Sequence, residues 1–188
     1  MELAICPVCK KQSLVLSMNT QEIPHFGKIL ILSTRCENCK FKHSDVFNVE
    51  IKEPLSYKIE IENEKDLTAK VVRASSATLI IPELGVKIEP GSYAQGFITN
   101  VEGVLERVEN VLRFQLRVQK GKKLEKVKQL IKKIERMREG KEKFSLIIKD
   151  PFGNSGIVSE KAKRRKLSKR ELKALKTGML ILELTKKF

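Results

Sequence analysis

Cys6-Pro-Val-Cys9 and Cys36-Glu-Asn-Cys39 contain all four cysteines of the chain, in the spacing C-x2-C-x26-C-x2-C. Each C-x2-C turn brings two thiolates to one side of a tight loop. Two such turns supply the four soft ligands of a tetrahedral structural zinc site. The gap is longer than the usual zinc-ribbon spacing, but strand-like sequence fills it, with Ser13–Met18 on one side and Lys28–Thr34 on the other. A turn at Ile23-Pro24-His25-Phe26-Gly27 carries the second knuckle back beside the first. The pattern predicts one zinc ion held by Cys6, Cys9, Cys36 and Cys39. Four thiolates leave no vacant position, so the site reads as structural. Disulfides compete with this reading, but they need an oxidising compartment. The start MELAICPVCK has no basic region followed by an apolar stretch to signal export. His43, four residues past Cys39, is a substitute ligand that four cysteines make unnecessary, and His25 reads as a surface loop residue.

Working outward, residues 44–98 read as short strands. Apolar and β-branched residues recur in Tyr57–Ile61, Ala69–Val72, Thr78–Ile81 and Val86–Ile88, separated by turn residues such as Pro54, Asn63, Pro82, Gly85 and Pro90-Gly91. This spacing predicts a sandwich or small barrel. At Thr99-Asn100-Val101-Glu102, a T-x-x-E capping box, the period changes. Val101, Val104, Leu105, Val108, Val111 and Leu112 follow at helical spacing. A second helix sets Leu124, Val127, Leu130, Ile131 and Ile134 on one face and ends at Gly140. The short link makes the pair an antiparallel hairpin. Strand character returns at Phe144–Ile148, followed by the loop Asp150-Pro151-Phe152-Gly153-Asn154-Ser155-Gly156. Ser168-Lys169-Arg170-Glu171 caps a short basic helix ending near Gly178, and Met179–Leu184 is a last strand or a partner-docking segment.

Apolar residues make up 41% of the 188, enough for a sizeable core, but only 5% are aromatic. No apolar run approaches the length of a membrane helix. These features predict a soluble, cytoplasmic protein. The net charge of +15 is concentrated: residues 120–143 carry +7, residues 158–188 carry +8, and the remainder is balanced. Such segments bind phosphates or an acidic protein face, or are simply solvated. A filled four-thiolate site carries −2, so the zinc-bound chain is nearer +13. Lys10, Lys11, Lys40 and Lys42 stand beside the knuckles and offset that charge. There is no Gly-rich phosphate loop, nucleophile elbow or H-E-x-x-H, which argues against an enzyme.

Several ordered segments together resemble the ZPR zinc-finger family. Besides the cysteine pairs they are Ile23-Pro24-His25-Phe26-Gly27, the run from Ser76 to Leu84, Asn100-Val101-Glu102-Gly103, and the run from Phe144 to Ser155. The resemblance spans roughly residues 4–160. Eukaryotic members carry the module twice, whereas this chain carries it once, as the archaeal form does. The resemblance implies a mainly β fold: a zinc ribbon followed by a double-stranded β-helix with an inserted helical hairpin. It implies a non-enzymatic protein that binds translation elongation factor one-alpha and assists its folding as a chaperone. Motif residues Glu83, Glu102, Asp150, Gly153 and Asn154 carry over as candidates for partner binding, alongside a purely structural reading of each. The basic segment after Val158 does not match the eukaryotic ending.

The expected organisation is a four-cysteine zinc ribbon over residues 1–50 and a β domain over 51–160. The hairpin occupies about 99–140, and a basic C-terminal segment covers 161–188. An RNA- or ribosome-binding ribbon, acting through its two basic segments, is the competing function. Phe26, Phe41 and Phe47 are its candidate stacking residues.

Overall fold

The computed structural model describes residues 3–23, 27–48, 53–91 and 94–176. Its first sheet is the ribbon: β1 (Ala4–Ile5), β2 (Gln12–Ile23), β3 (Gly27–Cys36) and β4 (Lys42–Asn48), antiparallel in that order. The β2–β3 ladder runs unbroken from Leu14 opposite Cys36 to Ile23 opposite Gly27. Both expected strands are present and longer than their apolar runs. Pro24, His25 and Phe26 of the turn lie outside the described residues, as does Met179–Leu184.

The remaining strands make two further sheets. They are β5 (Leu55–Ile61), β6 (Lys70–Arg73), β7 (Thr78–Ile81), β8 (Val86–Ile88), β9 (Phe97–Asn100), β10 (Phe144–Asp150), β11 (Gly156–Val158) and β12 (Lys163–Lys166). One sheet has the order β12-β5-β10-β7-β8 and the other β11-β6-β9. Between β9 and β10 the chain forms the hairpin of α1 (Val101–Gln115) and α2 (Gly121–Arg138), and α3 (Lys169–Ala174) follows β12. The run Lys163–Lys166, expected to belong to a separate basic segment, is an edge strand paired with β5. Its four charged side chains hide the strand from any reading based on apolar alternation.

Periodicity explains the packing. On β10, Phe144, Leu146, Ile148 and Asp150 are buried in alternation. The three apolar residues join Ile59, Ile61, Leu79 and Ile81 from neighbouring strands, Val101, Val104, Leu105 and Val108 from α1, and Ile134 and Met137 from α2 in one aliphatic core. On β6, Val71 faces that core, while Val72 turns the opposite way. There it meets Ile23, Ile29 and Val46 of the ribbon, with Ile98 and Val158 alongside. The three-stranded sheet is therefore covered on both faces, and the ribbon is seated on its outer one. Buried Asp45 pins this seam, accepting from the backbone amide and the hydroxyl of Ser75.

The helix ends follow local chemistry. The expected capping box at Thr99 is corrected: the N-cap is Asn100, whose side chain accepts from the Gly103 amide at 2.8 Å. Glu102 instead meets Arg138 of α2 at 2.9 Å. A Cβ at Gly103 would overlap the Thr99 hydroxyl, which would have to turn away. The second box is present, with Ser168 and Glu171 exchanging bonds at the start of α3. Gly140 closes α2 with φ +65, the Gly140 amide donating to Met137 and the Lys141 amide to Arg136. A side chain at Gly140 would be strained by that φ and would press on the Glu64 backbone nitrogen at 3.1 Å. Gly140→Ala is therefore expected to lower stability by about 1–3 kcal/mol, read as a lower urea midpoint with an unchanged slope.

Candidate metal centre

The two knuckles are built alike. The amide of Lys10 donates to the Cys6 carbonyl and that of Lys40 to the Cys36 carbonyl. The Cys6 and Cys36 amides donate in turn to Lys11 and Phe41. Closing each turn this tightly places Lys10 and Lys40 in the left-handed region, at φ 60 and 61. A non-glycine residue there costs about 1–2 kcal/mol, and metal binding is large enough to offset it.

The four sulfurs lie within 4.8 Å of one another, with Cys6–Cys39 and Cys9–Cys36 each at 3.7 Å. A tetrahedron with zinc–sulfur bonds of about 2.3 Å has sulfurs about 3.8 Å apart, so the donor set fits zinc. It does not fit disulfides, whose sulfurs sit about 2.0 Å apart. Cys6, Cys9, Cys36 and Cys39 thus cluster around a single site for one structural zinc ion. His43 stands on β4 opposite Thr34 and is not in the cluster. The metal supplies a rigid cross-link between two knuckles 30 residues apart in sequence.

The sulfurs are electrostatically unequal. The Ser13 hydroxyl, 3.2 Å from the Cys36 sulfur, and the Cys39 amide hold the Cys36 thiol down to about 6. The Lys11 amide lowers Cys9. At Cys39 the Phe41 amide also favours the thiolate, but burial and the three neighbouring sulfurs outweigh it and push the thiol up to about 11. Ser13 is a supporting residue that the cysteine spacing did not reveal.

The motif residues fall into two groups. Asp150 is fully buried and accepts from the Ser155 hydroxyl at 2.6 Å, the Phe152 amide at 2.9 Å and the Ser76 hydroxyl at 3.3 Å. It thereby locks the turn containing Gly153, which has φ +67, and half-buried Asn154. Glu83 and Glu102 lie against α2 instead. The Glu83 carbonyl accepts from Lys133, and the Glu102 carboxylate pairs with Arg138. Sequence reasoning also missed an apolar skin on the ribbon. Ile5, Val8, Leu16 and Met18 are exposed, Met18 by 64%, and half-buried Leu32 stands opposite Met18. The available signal was Ser13-Leu14-Val15-Leu16-Ser17-Met18, whose alternation sets Leu14, Leu16 and Met18 on one face of a strand.

A four-cysteine zinc ribbon seated on a jelly roll with an inserted helical hairpin defines the class of protein. Residues 1–52 match the ZPR1 zinc-finger domain and residues 65–177 the ZPR1 jelly-roll domain. The chain belongs to the ZPR1 family. It is 44% identical over 181 residues to a ZPR1-like protein of Methanocaldococcus jannaschii, covering 95% of this chain and 91% of that one. It is 41% identical over 182 residues to a ZPR1-like protein of Pyrococcus horikoshii, covering 94% and 82%. With the zinc finger chaperone zpr1 of Schizosaccharomyces pombe it shares 31% identity over 159 residues, or 81% of this chain but only 34% of the yeast protein.

Two outcomes are expected. Chelation should expose the ribbon amides around Cys6–Cys9 and Cys36–Cys39 to hydrogen exchange while those of β10 stay protected, since the jelly-roll core shares no residue with the cysteine cluster. Ser13→Ala should raise the Cys36 thiol, whose thiolate zinc requires. The loss of zinc affinity should then grow as pH falls from about 9 to about 6, reaching about ten-fold or more, as measured by competition with a chromophoric chelator.

Proposed function

We propose that this protein is a zinc-dependent protein-binding module that assists the folding of a partner, and that the partner is a translation elongation factor one-alpha homologue. The observation that carries this reading is the apolar skin of Ile5, Val8, Leu16 and Met18 on the ribbon. Several exposed apolar side chains on one small metal-bound element are a protein-docking feature. The fission yeast relative is named as a zinc finger chaperone, and the elongation factor is the partner implied by the sequence resemblance. In this reading the zinc holds the docking face in shape and performs no chemistry. Glu83 and Glu102 take part at the hairpin side. Asp150, Gly153 and Asn154 act by shaping their turn.

One observation favours a second reading, RNA or ribosome binding: Lys163, Arg164, Arg165 and Lys166 all stand exposed on one edge strand. Phosphate contacts from such a row would fall away steeply with salt. Much of the surrounding charge is already spent, however. Arg165 and Lys149 pair with Glu171, Lys166 with Glu53, and Lys161 with Asp66. Of the stacking candidates, Phe41 is half-buried, Phe26 lies outside the described residues, and so does the side chain of Phe47.

Purified elongation factor one-alpha homologue is expected to bind the zinc-loaded chain and lose it on chelation. The double variant Leu16→Glu with Met18→Glu should retain its zinc yet bind at least ten-fold more weakly in calorimetry. Unchanged binding would remove the ribbon from the interface. Binding that survives chelator but disappears at high salt or with nuclease would favour the RNA reading.

A further inference from the structure

A cavity of about 480 Å3 lies between β8, the segment Ala94–Phe97 and α1. Val86, Ile88, Phe97, Val108 and Leu112 give it apolar walls, and Arg73 and Arg107 also line it. Arg73 is only 2% exposed. One terminal nitrogen donates to the Gln95 carbonyl at 2.9 Å, but Nε and the other terminal nitrogen have no hydrogen-bond partner among the described residues. A buried guanidinium with idle donors is costly, and native proteins rarely leave one unmet. Arg107, on the exposed side of α1, stacks on the Phe97 ring at 4.5 Å, and Arg73 approaches the same ring at 5.6 Å. Two guanidinium groups thus flank one aromatic ring at an apolar cavity.

No carboxylate among the described residues answers them. Asp45 is engaged by Ser75, and Asp150 by Ser155 and Phe152, so both reach Arg73 only at longer range. Glu89, on the cavity wall, is held by Lys87 and Lys176. The shape of the site points to a peptide. Val86, Lys87 and Ile88 all line it, although successive strand residues face opposite sides. The cavity therefore runs along the edge of β8, the last strand of its sheet and unpaired on that side among the described residues. Exposed Val111 also lines it, and exposed Phe114 and Val118 follow at helical spacing toward the hairpin turn.

We propose that this cavity binds an extended segment of a partner protein carrying one Asp or Glu between apolar side chains. The segment adds to the β8 edge through its backbone, its carboxylate meets Arg73 and Arg107, and an apolar side chain fills the space beside Phe97 and Leu112. The site is separate from the ribbon skin and does not depend on the elongation-factor reading.

The test uses the zinc-loaded full chain and two capped peptides, Lys-Leu-Val-Glu-Val-Leu-Lys and its counterpart with Gln in place of Glu. The glutamate peptide is expected to bind at least ten-fold tighter and to shift the amides of Val86–Ile88 and the Nε–H of Arg73 in NMR spectra. Arg107→Ala, an exposed change that leaves the melting temperature unchanged, should weaken the glutamate peptide several-fold and the glutamine peptide little. Arg73→Lys, which keeps the charge but loses the fork, should abolish most of the preference. Equal binding of the two peptides, or shifts confined to other surfaces, would overturn the proposal. So would peptide binding that appears only after residues 177–188 are deleted, because the occupant would then be the chain's own segment.

Discussion

Four sulfurs gathered around one ion hold the register of a ribbon that has almost no core of its own. Between its knuckles and its base the β2–β3 ladder is polar or exposed over much of its length, as at Ser17, Asn19 and Gln21. A strand pair of this kind specifies its register weakly, because no buried face penalises a slip. Slipping by one residue would carry Cys36 to the opposite face from Leu14 and pull its sulfur out of the cluster. Zinc binding is worth on the order of 10–16 kcal/mol in small zinc-finger peptides, far more than any single cross-strand pair. The metal therefore clamps the far end of the ladder and fixes which side chains face outward, including Leu16 and Met18.

The near end is fixed by different means. Ile23, Ile29 and Val46 bury against Val72, Ile98 and Val158, and the one-residue alternation of β6 joins this seam to the main core through Val71. Asp45 adds direction, since a buried carboxylate needs its donors and Ser75 supplies two of them. The segment leading into β9 closes the β4 edge, with the Gly96 amide donating to Ser44 and the Gln95 side chain to Lys42. Apolar packing thus supplies most of the affinity between ribbon and jelly roll, and the polar pins set the angle. The ribbon's exposed face is held in a defined relation to the hairpin even though zinc and hairpin share no residue.

Much of this was legible in the sequence because it rests on short-range chemistry. The cysteine spacing identified the metal cluster, apolar runs located β7 and β8 to the residue, and helical spacing found the core face of α1. What was hidden depended on tertiary placement. Strand β12 is Lys-Arg-Arg-Lys and carries no apolar signal. Val111 keeps helical step with Val104 and Val108, yet it lies on the exposed side of the hairpin. The T-x-x-E pattern at Thr99 was displaced by one residue because Asn100 is itself a strong cap and Gly103 lets the chain approach Thr99 closely. Asp150, read as a loop-binding Asx residue or a partner contact, is also the buried end of a strand alternation.

The distribution of charge over the two sheet edges carries the argument further. A row of Lys and Arg along an edge strand repels any second strand that would pair with it, and β12 presents four such residues in succession, of which Lys163 and Arg164 make no salt bridge among the described residues while Arg165 and Lys166 pair with Glu171 and Glu53. At the other end of the same sheet, β8 presents Val86 and Ile88 with a single lysine between them, and that lysine is already paired with Glu89. One edge is guarded, and the other is unpaired among the described residues, beside a buried guanidinium. Had the positive charge served mainly to hold nucleic acid, nothing would require an unguarded apolar edge on the same sheet. An edge unpaired among the described residues, a hidden arginine and an apolar ribbon face suit the recognition of polypeptide proposed above.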